Sequence, residues 1–235
     1  MSKNFLFNQT AYIDSHPRLK KADDGCCFSL ALAWLHATCK YKMDVSYFEK
    51  TKVQNRVSRW QKTHNHDLIK KLEREYEHLH IDNQYKIILD GVSSAGKNNT
   101  KIKNDLIIRQ IQKWGGKRNL ILLGAKTSYS SGDVDIYFTS ALYRELINNG
   151  PLPVYGVILL NGNDKSHALS YTITNELEMI KLFDSNSGEY SFQRKEEFQH
   201  FLNRYLSTRY AFLGSSWCVI KLNKTMTKRG WNCFR

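Results

Sequence analysis

Proline and cysteine are both scarce in this sequence. It has only three prolines and five cysteines among 235 residues, and only Cys26 and Cys27 are adjacent. An odd number of cysteines without a spacing pattern argues against a disulfide framework, so we expect reduced thiols in a cytosol. The few prolines and the 12% aromatic content exclude a disordered, proline-rich chain. The sequence therefore predicts a folded protein with free thiols.

Long hydrophobic runs are also missing. The most apolar stretch, Cys26 to Cys39, is interrupted by Ser29, His36 and Thr38, and its length suits a buried helix rather than a membrane span. The first residues, MSKNFLFNQTAYIDSHP, lack the apolar core and small-residue cleavage site of a secretory signal. We expect a single domain over residues 1–235, with residues 1–20 as a polar, flexible N-terminal arm.

Acidic residues are in the minority, which points to an anionic partner. Lys and Arg number 35 against 22 Asp and Glu, for a net charge of +13. Such a surface favours nucleic acid, an anionic membrane surface or an acidic protein. Neither a zinc-finger spacing nor a ribonucleoprotein motif accompanies the charge, so nucleic acid is the least favoured of the three.

The periodicity of apolar residues predicts helices in the first part of the chain and an antiparallel sheet in the second, which is the α+β class. The predicted helices begin near Cys26 and cover His66 to His80, Asp105 to Trp114, Ser140 to Asn148 and the stretch carrying Phe198, Phe201, Leu202, Tyr205 and Leu206. The predicted strands are Tyr85 to Leu89, Asn119 to Leu123, Val154 to Leu160, His167 to Thr174, Leu177 to Asp184 and Trp217 to Leu222.

Two patterns imitate ligand sites. Residues 91–98, GVSSAGKN, nearly match the phosphate-binding G-x-x-x-x-G-K-[ST] loop, but Asn98 stands where magnesium needs Ser or Thr. The polar residues 99–104 that follow favour a surface loop. The histidine pairs at 64/66 and 78/80 are spaced i, i+2, which points them to different sides of a helix. We therefore expect neither a cofactor nor a metal.

The stretch DDGCCFSLALAW, residues 23–34, places two thiols in the first turn of a predicted helix. Asp23 or Asp24 can cap that helix. Its unpaired backbone N–H groups and its dipole stabilise a thiolate there and lower the pKa of the thiol. A structural cysteine gains nothing from this position, whereas a nucleophile does. Cys26 and Cys27 are both candidates at this stage.

A base and an orienting group are predicted in the sheet. If the chain folds back symmetrically at Asn175-Glu176, His167 stands directly opposite Asp184 on the same face. The apolar side chains that share this face should pack on the helix after Cys27. A half-buried His–Asp pair without chemistry is the plain alternative. Together with a cysteine at a helix N-terminus, the pair favours a nucleophilic site.

Three short blocks resemble the YopT/AvrPphB family of papain-like cysteine proteases, in the family's Cys, His, Asp order. Residues 25–30, GCCFSL, with Trp34 further on, resemble its nucleophile segment. Ser166-His167-Ala168 resembles its histidine segment, and residues 182–190, LFDSNSGEY, resemble its F-D-P-N-x-G-E-[FY] segment.

This resemblance implies a papain-like fold and a Cys27, His167 and Asp184 triad, with Cys27 rather than Cys26 as the nucleophile. It also implies a bacterial effector, injected into the host cytosol, that cleaves a host protein, in some members at a membrane. Ser185 replaces the family's Pro. Residues 20–24, KKADD, occupy the stretch where papain-like enzymes often have a Gln or Asn that stabilises the oxyanion. The backbone N–H of Cys27 is then the expected oxyanion donor.

Three alternatives stay open at this point. The same triad on the same fold can acylate a lysine with a fatty chain or deamidate a glutamine. A protein that keeps the fold without activity, including a basic binding module, is the non-enzymatic alternative, but it has no need of all three triad residues. A basic nucleic-acid-binding protein would show strongly salt-dependent binding.

Overall fold

The computed structural model describes residues 1–5, 8–14, 27–40, 98–130, 133–148, 151–162, 165–174 and 179–224. The helix predicted at His66 to His80, the strand predicted at Tyr85 to Leu89 and the loop at residues 91–97 lie outside the described residues. In chain order, the described elements are β1 (Ser2–Phe5), α1 (Gln9–Asp14), α2 (Cys27–Lys40), α3 (Asn98–Gly116), β2 (Leu120–Tyr129), α4 (Ile136–Ile147), β3 (Val154–Asn161), β4 (Ser166–Ile173), β5 (Ile180–Asp184), β6 (Gly188–Phe192), α5 (Lys195–Arg209), a short 3-10 helix (Ala211–Leu213) and β7 (Ser216–Lys224).

The strands form one sheet in the order β1-β6-β5-β4-β3-β7-β2, and every neighbouring pair is antiparallel. Helices α2 and α3 cover one face, and α4 and α5 cover the other, so the described chain has two hydrophobic cores with the sheet between them. An antiparallel sheet with segregated helices is the predicted α+β class, which is confirmed.

The central strands contribute to both cores, which explains their nearly unbroken apolar sequences. Every residue of β3 is buried. Alternate side chains of a strand point to opposite faces, so Val154 and Ile158 lie in the core under α4 and α5, whereas Tyr155 and Val157 lie in the core under α2. A strand that is buried on both faces reads as a continuous apolar run.

The predicted packing of the hairpin face against α2 is wrong. Leu169, Tyr171 and Leu182 lie in the core formed with α4 and α5, not against α2 as expected. Helix α2 covers the opposite face of the same strands, where the Ser170 hydroxyl donates a hydrogen bond of 2.8 Å to the carbonyl oxygen of Ala31. Because both faces are covered, apolar alternation alone does not tell which helix covers which face.

Several element boundaries also differ from the prediction. Residues 99–104, expected in a loop, are helical, because α3 already begins at Asn98. Helix α4 begins four residues early, where the Asp135 carboxylate caps it by accepting a 2.7 Å hydrogen bond from the Phe138 N–H. Ser2–Phe5, predicted as part of a flexible arm, pairs with β6 at the sheet edge. Strand β6 itself was not predicted.

Gly156 in β3 allows Tyr171 of the neighbouring strand to lie directly over the backbone. A Cβ atom at Gly156 would lie 2.0 Å from the Tyr171 Cε1 atom, whereas a Cβ atom at Gly124 in β2 would meet nothing within 4 Å. We expect Gly156→Ala to lower the free energy of unfolding by about 1–3 kcal/mol through overpacking. The matched variant Gly124→Ala should change it little. Urea unfolding of the two variants checks this, and equal losses would contradict it.

Candidate active site

Cys27 is the first residue of helix α2. Its sulfur is half-enclosed at the helix N-terminus, where the backbone N–H groups of Phe28 and Ala168 hydrogen-bond to it. The helix dipole adds positive potential at this end. The sequence expectation of a thiol in the first turn of a helix therefore agrees with the described position of Cys27, and the contact with Ala168 places this thiol near the start of β4.

His167 contacts both of the other predicted site residues. Its Nε2 atom is 2.8 Å from the Asp184 Oδ1 atom, and its side chain also hydrogen-bonds to the Cys27 thiol. With Nε2 directed at the carboxylate, Nδ1 is the ring nitrogen left for the sulfur. The structure thus brings Cys27, His167 and Asp184 into one hydrogen-bonded row, with the imidazole in the middle.

The register of the β4–β5 hairpin differs from the prediction by two residues. Asp184 stands opposite Leu169 rather than His167, and the hairpin is closed by a 3.2 Å bond from the Thr174 N–H to the Met179 carbonyl. His167 and Asp184 are therefore diagonal neighbours. A shift of two residues keeps both side chains on the same face, and diagonal neighbours lie within reach of long side chains.

Asp184 is fully buried and accepts an unusual number of hydrogen bonds. The Asn186 N–H donates to its Oδ1 atom at 2.8 Å, and the Ser187 and Tyr210 hydroxyls donate to its Oδ2 atom at 3.2 Å and 2.7 Å. The Tyr205 hydroxyl also donates to Oδ2. A buried carboxylate needs such partners in order to stay ionised. The carboxylate is thereby held in one orientation toward His167.

The ionisation of the three groups is mutually dependent. Burial opposes the thiolate of Cys27, but the hydrogen bond and positive charge of His167 outweigh it and lower the pKa of the thiol. Burial likewise opposes the imidazolium, but the hydrogen bonds of Asp184 and Cys27 raise the pKa of His167 to about 9. The pKa of Asp184 is lowered despite its burial, chiefly by the hydrogen bond of His167. The arrangement favours a thiolate beside an imidazolium.

The other two cysteines that the structure describes behave differently. Cys39 and Cys218 are buried free thiols, and burial raises the pKa of each. Of these three described thiols, Cys27 alone has a lowered pKa. Reactivity follows the thiolate fraction, so Cys27 is the thiol among them that is suited to nucleophilic attack.

The charge of His167 makes the stability depend on pH. A histidine whose folded-state pKa is raised from 6.5 to about 9 stabilises the fold fully below pH 6.5, and this contribution is lost as the pH rises through 9. The lowered pKa of Cys27 acts in the opposite direction, because a thiolate that forms more readily in the folded state adds stability as the pH rises toward 9. Between about pH 6 and about pH 10, the free energy of unfolding should therefore fall more in Cys27→Ala, which lacks this thiol, than in the wild type. Urea unfolding of both proteins across this range checks it, and an equal fall in both would contradict it.

Some residues of the family-like sequence blocks hold the scaffold of the site together. The Trp34 Nε1–H donates a 2.7 Å hydrogen bond to the Glu189 Oε2 atom in the protein interior. Glu189 also lies 3.4 Å from the Lys181 ammonium, and the Trp34 ring stacks on Phe183. These contacts link α2 to β5 and β6. They hold the helix that carries Cys27 against the strand that carries Asp184.

The sequence did not single out the two tyrosines that contact Asp184. Tyr205 was predicted as a core residue of helix α5, and Tyr210, directly after that helix, was not considered. The signal for Tyr205 was its place on the buried helix face, which says nothing about its hydroxyl. Tyr210 follows the helix end and belongs to no periodic pattern.

Neither a cluster of metal-ligating side chains nor a membrane-spanning helix is found in the described part of the chain. Among the described residues, no group of three or more His, Cys, Asp or Glu side chains is arranged to hold a metal ion. The helices within the described ranges are too short or too polar to cross a bilayer.

A solved structure shares this fold. The solved structure of the Pseudomonas avirulence protein AvrPphB superposes with a TM-score of 0.56 at 12% sequence identity, covering 84% of this chain and 91% of that one. At such low identity, the likeness shows the fold alone. The fold is that of AvrPphB, and the predicted papain-like fold is confirmed.

The family follows from the sequence comparisons. Residues 1–213 match the Peptidase C58 family, described as Yersinia/Haemophilus virulence surface antigen, and the chain belongs to this family. The cysteine protease YopT of Yersinia pestis and that of Yersinia pseudotuberculosis serotype I (strain IP32953) are each 26% identical over 198 residues, which are 83% of this chain and 55% of the relative. The chain spans about half the length of these curated relatives. The predicted YopT/AvrPphB-type family is confirmed.

Proposed function

We propose that this chain is the peptidase domain of a bacterial virulence effector, in which Cys27 is the nucleophile, His167 the general base and Asp184 the group that orients the imidazole. The observation that carries the proposal is the hydrogen-bonded row from the Cys27 sulfur through His167 to the buried Asp184 carboxylate. Nucleophile, base and orienting group in hydrogen-bonding contact are the requirement for covalent catalysis by a thiol.

The reaction proceeds through a thioester. His167 takes the proton of Cys27, and the thiolate sulfur attacks the carbonyl carbon of the scissile peptide bond. The negative charge that develops on the carbonyl oxygen is stabilised by the backbone N–H of Cys27 at the start of α2. The C–N bond breaks, the His167 imidazolium protonates the departing amine, and water hydrolyses the thioester with His167 again as base.

The proposed substrate is a protein of a host cell. Two statements support it: the family is described by its association with virulence, and the YopT relatives are named cysteine proteases. The net charge of +13 supports a substrate with negative charge near the cleaved bond, or a substrate at an anionic membrane surface. Long-range attraction of this kind speeds encounter more than it strengthens binding.

Mass spectrometry of a treated host lysate tests the proposal. Wild-type protein and the Cys27→Ala variant are incubated separately with the lysate, and both new protein termini and acylated lysines are mapped. We expect new termini that appear with the wild type and are absent with the variant. Acylated lysines without new termini, dependent on Cys27, would overturn the peptidase in favour of acyl transfer.

A further inference from the structure

Tyr210 lies directly after helix α5 and covers the His167–Asp184 pair. Its ring is stacked on the imidazole, with ring centroids 4.7 Å apart and planes inclined by 19°. Its hydroxyl oxygen lies 3.0 Å from His167 Nε2 and 2.7 Å from Asp184 Oδ2. Tyr210 is itself buried, with 5% of its surface exposed. One side chain thus contacts both members of the pair.

The hydrogen bonds of Tyr210 indicate which ring nitrogen of His167 carries the proton. The single hydroxyl proton of Tyr210 is donated to the Asp184 Oδ2 atom. The oxygen of Tyr210 accepts a hydrogen bond of 3.0 Å from the Asn186 amide, so it meets His167 Nε2 as an acceptor. With acceptors on both Asp184 and Tyr210, Nε2 must carry the proton. Whenever the imidazole is neutral during the reaction, it therefore presents an unprotonated Nδ1 to Cys27.

We propose that Tyr210 is a positioning residue for the reaction, whose ring keeps water from the His167–Asp184 hydrogen bond and whose hydroxyl holds the imidazole in the Nε2–H tautomer. The inference rests on the proposed function of these residues. Burial alone opposes the imidazolium, but the hydrogen bonds and charges of Asp184 and Cys27 outweigh it. Their attraction for the imidazolium weakens several-fold when water replaces protein around the charges. A cover over the pair therefore preserves the charge of His167, which in turn preserves the thiolate of Cys27.

Few other charges bear on the pair from the described elements around it. Cys27 faces it from α2, and Tyr205 faces it from α5 through its bond to Asp184. Arg209, at the end of α5, acts on the two tyrosines: its guanidinium lies 5.5 Å from the centre of the Tyr205 ring, and its charge reaches Tyr210. Both tyrosine hydroxyls are neutral at neutral pH, since burial raises their pKa values well above the usual range.

The test measures the pH at which Cys27 becomes reactive toward iodoacetamide, with the Cys27→Ala protein as the background for the other thiols. Tyr210→Ala removes the cover, so the midpoint should rise by about one pH unit, a tenfold loss of thiolate at a given acidic pH. Tyr210→Phe keeps the ring and should shift the midpoint by less than half as much. An unchanged midpoint in Tyr210→Ala would overturn the proposal.

A matched control separates positioning from a general loss of packing. Tyr143 is another buried tyrosine of the same core; its ring is tilted by 50° against Phe198, and it has no contact to His167 among the described bonds. Tyr143→Ala should lower the urea midpoint and leave the pH midpoint of Cys27 unchanged. An equal pH shift in Tyr143→Ala would show that the effect in Tyr210→Ala reflects packing alone and would overturn the proposal.

Two further measurements keep the test decisive if Tyr210→Ala does not fold. Tyr210→Val retains an apolar side chain for the core but is too short to cover the pair, so it should give the same upward shift. In the wild type, the pH midpoint should differ little between low and high salt, because the pair is shielded from ions. A midpoint that rises steeply with salt in the wild type would contradict the cover.

The readout also distinguishes this inference from the proposed function. Alkylation of Cys27 needs no peptide substrate. If the pH midpoint depends on Tyr210 but no host protein is cleaved, the positioning role stands and the peptidase proposal fails. If cleavage is observed and the midpoint is independent of Tyr210, the peptidase proposal stands and the positioning role fails.

Discussion

Cys27→Ala is expected to abolish cleavage, whereas Cys26→Ala should leave most of it. The described Cys27 sulfur is hydrogen-bonded to His167 and stands at the first position of α2, so its removal takes away the proposed nucleophile. Loss of a nucleophile from a catalytic triad costs at least about 10³-fold in rate, because the members act as a unit. The rate of appearance of new termini in host lysate measures both variants.

A substrate-free assay checks the same assignment. A thiol-directed probe reacts fastest with the thiol of lowest pKa, so Cys26→Ala should retain rapid labelling at Cys27 and Cys27→Ala should lose it. Cys39→Ala is a suitable control, because burial raises the pKa of that thiol. Rapid labelling of Cys26 in Cys27→Ala, together with none of Cys27 in Cys26→Ala, would reverse the assignment.

The sequence placed His167 and Asp184 on one face of the sheet even though the predicted hairpin register was wrong. Side chains alternate along each strand, so any register offset of two residues leaves the pair on a common face. The predicted direct pairing failed because the turn length sets the offset, and turn length is not encoded in the alternation. The observed partner of Asp184 is Leu169.

The cover of the site could not be predicted from local patterns. Apolar periodicity predicted helix α5, whose buried residues include Phe198 and Tyr205. The periodicity did not predict that α5, rather than α2, packs on the face of the sheet that carries His167. That choice depends on contacts between elements far apart in sequence. Tyr210 came into the site only through that packing, as a residue just beyond a helix end.

His167 and Asp184 are expected to contribute unequally. His167→Ala removes the base and should silence the protein as completely as Cys27→Ala. Asp184→Asn keeps the shape of the side chain but loses the negative charge that stabilises the imidazolium and selects its tautomer, so a large, partial loss of about 10²- to 10⁴-fold is expected. Cleavage rates of the two variants, measured beside the wild type, check this order.

Stability distinguishes the two changes at Asp184. Asp184→Ala removes the carboxylate that the buried hydroxyls of Tyr205, Tyr210 and Ser187 share as acceptor, whereas the Ser187 and Tyr205 hydroxyls still contact each other. Each hydroxyl that is left without an acceptor costs about 1–3 kcal/mol. Asp184→Asn retains one carbonyl oxygen, so it should unfold at a higher urea concentration than Asp184→Ala. Full cleavage activity in Asp184→Asn would remove Asp184 from the mechanism. If its activity is low and its stability close to that of the wild type, the loss lies in the chemistry, because the scaffold that holds His167 beside Cys27 is then intact.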